Sequence, residues 1–453
     1  MLSARNPSSC VKKTTIFFVL FSFCIVWAFS QSVVPQLPKA ATFKNYGGTL
    51  NPHQSALIGF SPSAATTINQ SKHSQQMAVY EDDARRLAKE EEMRKMAIKD
   101  AEAYLANSTK PALPTFRNQK GTQHYRNAYV QLLSMVGGPF STRKATFVIE
   151  NAYYEGEKDY SEFEQTIKQT GDFLRQKMEE LDLDQESNLA KNYLLFQFFA
   201  DTLEIKSKGL KHFPYSYDFE DYWGKEDWSK MFVHKLLLTG KGQCSSLPKL
   251  YLILAEEIGA KAHLALSPNH SYIKFPDDEG RWHNIELTNN MLSTDAFILN
   301  SGYVKSEAIQ NKIFMHPFND TELLSNHFDQ LALGYIRKYG YDEFVAEVLE
   351  TAIELNPNNI TAHLSKANLQ ALTLKYATEQ LGITKNNFNE IRKYPELVKL
   401  YRSVVGQYDY IDNLGYAEMP QELYEKWLSS VNEQEEEQIN KSFNINPIKQ
   451  KKN

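Results

Sequence analysis

The sequence predicts an α+β fold, mostly helical with one small antiparallel sheet. Three observations carry this. Apolar residues recur at steps of three and four through residues 122–258 and again from Leu331, the period of helices with one buried face. Two short segments, His270 to Phe275 and Trp282 to Thr288, alternate apolar and polar side chains instead, as strands do. The chain has 453 residues, 42% of them hydrophobic, enough to bury more than one core.

Residues 1–30 read as a signal peptide. Lys12 and Lys13 precede an apolar run from Ile16 to Phe29, and Ala28-Phe29-Ser30 offers the small residues a signal peptidase needs before Gln31. The run is shorter than the roughly 20 residues that span a bilayer; an uncleaved membrane anchor over 14–30 is the alternative. Export to a periplasmic or extracellular space follows, and cleavage removes Cys10 and Cys24. Cys244 then remains as a single thiol, which no internal disulfide explains. Residues 31–78, rich in Ser, Pro, Asn and Gln, read as a flexible spacer. Residues 79–110 read as a charged, solvated helix with interleaved acids and bases, ended by Pro111 and Pro114. A net charge of -5 gives no electrostatic reason to expect nucleic acid.

Helices are expected over Gln123 to Met135, Ser141 to Tyr154, Tyr160 to Leu181 and Glu186 to Ser207. The aromatic stretch Phe213 to Trp228 reads mainly as packing, with some of its tyrosines as candidates to line a substrate groove. The decisive stretch is 242–288. After Cys244, Leu247, Leu250, Tyr251, Leu254, Ala255 and Ile258 mark one helix face, and Gly259 stops it. Ser245 and Ser246 are placed to satisfy first-turn amides. Cys244 thus opens a helix, where peptide dipoles favour thiolate and an unpaired amide can face an oxyanion.

The turn PDDEGR joins the two strands. Pairing Pro276 with Gly280 sets His270 directly opposite Glu286, close enough for a carboxylate to hold an imidazole. Tyr272, Trp282 and Asn284 share that face, with Trp282 placed to shield the pair from water. A thiolate, a base and a group orienting the base are the parts of nucleophilic acyl chemistry. The plainer readings are a cysteine buried as a small hydrophobe and structural histidines. A metal site from His263, His270, His283 and Glu286 is disfavoured, because His283 faces away from His270. Residues 291–314 close the core with strand-like residues, including Ala296 to Leu299.

Gly242-Gln243-Cys244 opening a helix, His270 starting one strand, and an acid following a tryptophan in the next, Trp282 to Glu286, together resemble the transglutaminase-like superfamily of the papain-like fold. Directly matched residues cover about a tenth of the chain. The resemblance implies an α+β core over 240–300 within a domain spanning 122–316, the nucleophile helix packed on a small antiparallel sheet. It implies Cys244 as nucleophile, His270 as base and Glu286 as orienting acid, with no cofactor and no metal; the usual acid is Asp. Gln243 and Ser245 are the supporting residues at the oxyanion. Farther on, Ala352-Ile353-Glu354-Leu355-Asn356-Pro357, followed by Ala362, resembles a tetratricopeptide repeat. Residues 317–431 therefore read as a helical domain that buttresses the core or binds a protein partner, and 432–453 as a charged tail. Two functions stand: an exported thiol acyl-transfer enzyme acting on a peptide, protein or cell-wall amide, or a catalytically silent binding protein. A membrane association enters only if the signal segment stays uncleaved.

Overall fold

Four capped helices lead the body of the molecule: α1 (Thr122–Leu133), α2 (Thr142–Tyr153), α3 (Tyr160–Glu180) and α4 (Asn188–Ala200). Ser141, Asp159 and Ser187 each accept the N–H three residues on, so α2, α3 and α4 begin where a side chain can satisfy an open donor. The computed structural model describes residues 85–95, 111–300 and 302–429. The expected signal peptide, spacer and charged tail lie outside the described residues. Contacts divide the chain into two units, Pro111–Ala377 with Tyr401–Asn453, and Met1–Lys110 with Thr378–Leu400. In the latter, residues 85–95 form an exposed helix; the rest of the charged helix expected over 79–110 lies outside the described residues.

α4 stops well short of its expected end. Leu203–Ile205 (β1) instead turns back on Leu210–His212 (β2) through Gly209, whose φ of 63° suits a residue without Cβ. Leu203 and Ile205 are buried, so the apolar pattern continues although the backbone has changed. Ser216–Tyr217 (β3) then pairs in parallel with Lys241–Gly242 (β4), the two separated by the short α5 (Val233–Thr239).

α6 (Ser246–Ile258) packs against α2, α3, α4 and α5. Its expected apolar face is buried, and so are Leu252 and Ile253 outside that stripe. At its end Gly259 takes a φ of 68°, and the Ala260 N–H returns to the Ala255 carbonyl at 2.8 Å. The following sheet is antiparallel in chain order: β5 (His263–Ser267), β6 (His270–Pro276), β7 (Trp282–Glu286) and β8 (Met291–Ser293). β5 and β6 lie against α6.

The β6–β7 register differs from the expected one by two residues. Pro276 pairs with Trp282, not Gly280. The cause is Asp277, whose carboxylate accepts the N–H groups of Glu279 and Arg281 and the Arg281 Nε, while its own N–H bonds the Arg281 carbonyl. The turn therefore closes inside 277–281. A shift of two leaves every side chain on its expected face, but His270 and Glu286 become diagonal neighbours. The segment expected as strand around Ala296 is helical, α7 (Asp295–Leu299), because the Thr294 hydroxyl caps the Phe297 N–H at 3.3 Å.

After α8 (Ser306–Gln310), the long helices α9 (Asp320–Tyr339), α10 (Glu343–Leu355) and α11 (Ile360–Gln380) follow. α9 packs on α10 and also on α1 and α2. Phe328, Tyr335 and Phe344 meet Tyr125 and Tyr129 edge-on in a second core. This core joins residues from both sides of the expected 316/317 boundary. Then come α12 (Pro395–Asn413) and a last described helix, α13, over 421–429. Tyr424 and Leu428 of α13 enter the first core, around α6. No helix among the described residues is long and apolar enough to cross a membrane.

Candidate active site

The turn before α6 is tied from several sides. A Cβ on Gly242 would lie 2.9 Å from Leu247 Cγ and 3.0 Å from Ser246 Oγ, so a larger residue there would push those side chains aside. Gln243 is fully buried; its N–H donates to Ser246 Oγ at 2.8 Å and its Nε2 to the Asp218 carbonyl at 2.6 Å. Gln243 thus braces the turn and does not present its amide to an oxyanion. The Ser246 hydroxyl serves Gln243, three residues back, and Ser245, at the helix start, makes no side-chain cap but accepts from Lys249 Nζ at 2.9 Å. The Ser271 hydroxyl donates to the Cys244 carbonyl, fastening the Cys244 turn to β6 beside His270.

His270 Nε2 donates to Glu286 Oε2 at 2.7 Å, with both side chains 6% exposed. The Thr288 N–H holds the other carboxylate oxygen at 2.9 Å. Nδ1 of His270 is buried with no hydrogen bond of full geometry, and the Cys244 side chain acts on the same ring. Burial works against the imidazolium, but the Glu286 charge and Cys244 outweigh it, and the His270 pKa is pushed up to about 10. Burial likewise works against the Glu286 carboxylate, yet the His270 charge and the Thr288 amide leave it below the usual range.

The expected supporting residues divide. Tyr272 is buried on the face of the pair, its hydroxyl without a partner. Asn284 is turned to Asp295, donating to Oδ1 at 2.8 Å beside Lys274 Nζ at 3.1 Å. Trp282 is half exposed and packs on His263, so it does not shield the pair. That place belongs to Trp427 of α13, whose ring meets His270 at 5.0 Å. Tyr424 packs on Tyr222, Trp223 and Trp427, and the Tyr222 hydroxyl donates to Glu425 at 2.7 Å. Asn269, one residue before His270, donates to the Met419 carbonyl at 3.0 Å. The local reading missed Trp427 and Tyr424; their one signal is the spacing of three along an amphipathic stretch.

Buried polar atoms without partners gather here. They include His270 Nδ1, the hydroxyls of Tyr217, Tyr272 and Thr288, Gln243 Oε1 and Trp223 Nε1. His263 and His283 are structural: His263 Nδ1 bonds the Phe318 carbonyl at 2.8 Å and His283 Nε2 bonds Asp277 at 2.9 Å. No group of three metal-ligating side chains occurs among the described residues.

Behind the Cys244 turn, Lys249 also donates to Gln330 Oε1 at 3.3 Å, and burial pushes its ammonium below the usual lysine range. Gln330 Nε2 in turn donates to the buried Asp329, which Asn326 and Asn359 also approach and which burial pushes up to about 7. A polar chain therefore runs from Asn359, just before α11, through α9 to the residue beside Cys244.

No protein-family model, no curated protein and no solved structure matches the chain.

Proposed function

We propose that this chain is an exported thiol-dependent acyl-transfer enzyme of the transglutaminase-like, papain-related type, acting on an amide of a peptide, protein or cell-wall substrate. The observation that carries the reading is the buried His270–Glu286 hydrogen bond at 2.7 Å, on a ring that the Cys244 side chain also meets. In this mechanism His270 already holds the Cys244 thiol proton, as an imidazolium beside a thiolate, and the sulfur attacks the carbonyl. His270 returns the proton to the leaving amine, and Glu286 keeps the ring oriented throughout. Water then releases the acyl group, making a peptidase or amidase; an amine in its place makes a cross-linking transferase. The α9–α11 helices, with their tetratricopeptide-like segment, serve in this reading as a buttress.

One observation favours the second reading, a binding protein without turnover: Tyr424 and Trp427 pack over the nucleophile and its base. Iodoacetamide separates the two. Labelling of Cys244 faster than glutathione at neutral pH, with turnover of peptides or peptidoglycan fragments that Cys244→Ala abolishes, supports the enzyme. Labelling no faster than glutathione supports the binding protein.

A further inference from the structure

The last described helix lies where a substrate would have to lie. Trp427 of α13 meets the His270 ring at 5.0 Å, and Tyr424 packs on Tyr222 and Trp223 at 5.8 and 5.1 Å. α13 buries one narrow stripe: Tyr424 and Leu428 are buried and Trp427 partly so, while Gln421, Glu422, Lys426 and Ser429 are exposed. Anchors at i, i+3 and i+4 laid in an apolar groove are how a helical peptide binds a partner. Two hydrogen bonds latch the segment: Asn269 Nδ2 donates to the Met419 carbonyl at 3.0 Å, and the Tyr222 hydroxyl to Glu425 at 2.7 Å. A coil over 416–420 leads into α13 and no described element follows it, so the helix can lift without unthreading another. Acyl transfer needs a carbonyl against Cys244 with His270 beside it, and the Trp427 ring stands at that base.

We propose that α13 occupies the substrate groove in cis: the surface beneath it is a docking site for a polypeptide, seated by an aromatic side chain on Tyr222 and Trp223, and the chain as folded is self-inhibited. The proposal rests on the acyl-transfer reading and narrows its substrate from any amide to a polypeptide with aromatic side chains three residues apart. The tether sets the competition. An occupant on a short tether acts at an effective concentration in the millimolar range, so a polypeptide in trans binds only the fraction of molecules from which α13 has lifted. The Tyr222 hydroxyl and the Asn269 amide then pass from Glu425 and the Met419 carbonyl to an acid and a carbonyl of the incoming chain.

The test uses the full chain and a fluorescein-labelled peptide copying residues 419–429. Glu425→Ala combined with Trp427→Ala removes one latch and one anchor of α13 and leaves Tyr222, Trp223 and Asn269 in place. By fluorescence anisotropy this variant is expected to bind the peptide about tenfold or more tightly than the native chain does, and the bound peptide to slow iodoacetamide at Cys244 several-fold. A peptide with alanine in place of Tyr424 and Trp427 is expected to bind neither protein. Equal affinity for native and variant overturns the occupancy in cis. An alanine peptide that binds as well as the copy, or a bound copy that leaves the iodoacetamide rate unchanged, overturns the docking site. Should the double variant melt well below native, Glu425→Ala alone, at a partly exposed position, is expected to show the same gain to a smaller degree, and no gain in it overturns the proposal equally. If the copy binds and protects while the uncovered thiol reacts no faster than glutathione, the acyl-transfer reading fails and the docking site stands.

Discussion

The His270–Glu286 pair links stability to pH at both ends. His270 has its folded pKa raised to about 10 from 6.5, so its contribution is complete below pH 6.5 and is lost as pH rises through about 10. Glu286 is lowered from 4.5, so its contribution is complete above pH 4.5 and is lost as pH falls through the lower folded value. Both are therefore fully present between those two ordinary values. Breaking a buried pair by removing one charge costs about 3 kcal/mol. Glu286→Gln is expected to lose about that much in urea unfolding near pH 6, and the gap to native should narrow above pH 10; a constant gap would show that the charges do not matter. The diagonal placement adds a second expectation. A diagonal pair is separated by roughly 7 to 8 Å, against 4.5 to 5.5 Å for residues directly opposite, so the longer glutamate has reach that aspartate lacks. Glu286→Asp should behave like Glu286→Gln in the same titration, and native-like stability would rule out reach as the reason for glutamate.

Among the elements, α6 and α13 set the site between them. α6 is buried almost all round, which is why its start, with Cys244, is held so closely by Gln243, Ser246 and Ser271. α13 adds Trp427 and Tyr424 as a cover. Trp427→Ala is expected to raise the iodoacetamide rate at Cys244 several-fold and to cost about 2 kcal/mol, less than a fully buried tryptophan because this one is only partly buried. Labelling at the native rate would mean that α13 does not limit access. Much of this arrangement was legible in the sequence. A helix start, two alternating strands and three chemically paired residue types are local patterns, and they sufficed to name Cys244, His270 and Glu286. The hairpin register was not legible, because it depends on what the Asp277 side chain accepts inside its own turn. Trp427 was not legible either, since a contact between residues so far apart in the chain has no local period.

In the molecule as a whole, the two cores share α2. Phe147 belongs to the core around α6, while Ala145, Val148 and Ile149 belong to the one built with α9 and α10. A fragment of residues 111–316 should therefore bare Tyr125, Tyr129, Leu132 and Val148, and is expected to aggregate or melt without cooperativity by circular dichroism. Residues 111–429 should give a cooperative transition; an equally sharp one from the short fragment would show that the second core is dispensable. The same sharing has a thermodynamic corollary, since Gln330, Lys249 and Ser245 run from α9 to the neighbour of the thiol. A ligand that grips α9 and alters the Lys249–Gln330 hydrogen bond is expected to change the affinity of Cys244 for whatever occupies it. By reciprocity, a group resting on that sulfur changes the grip of the distant ligand by the same factor.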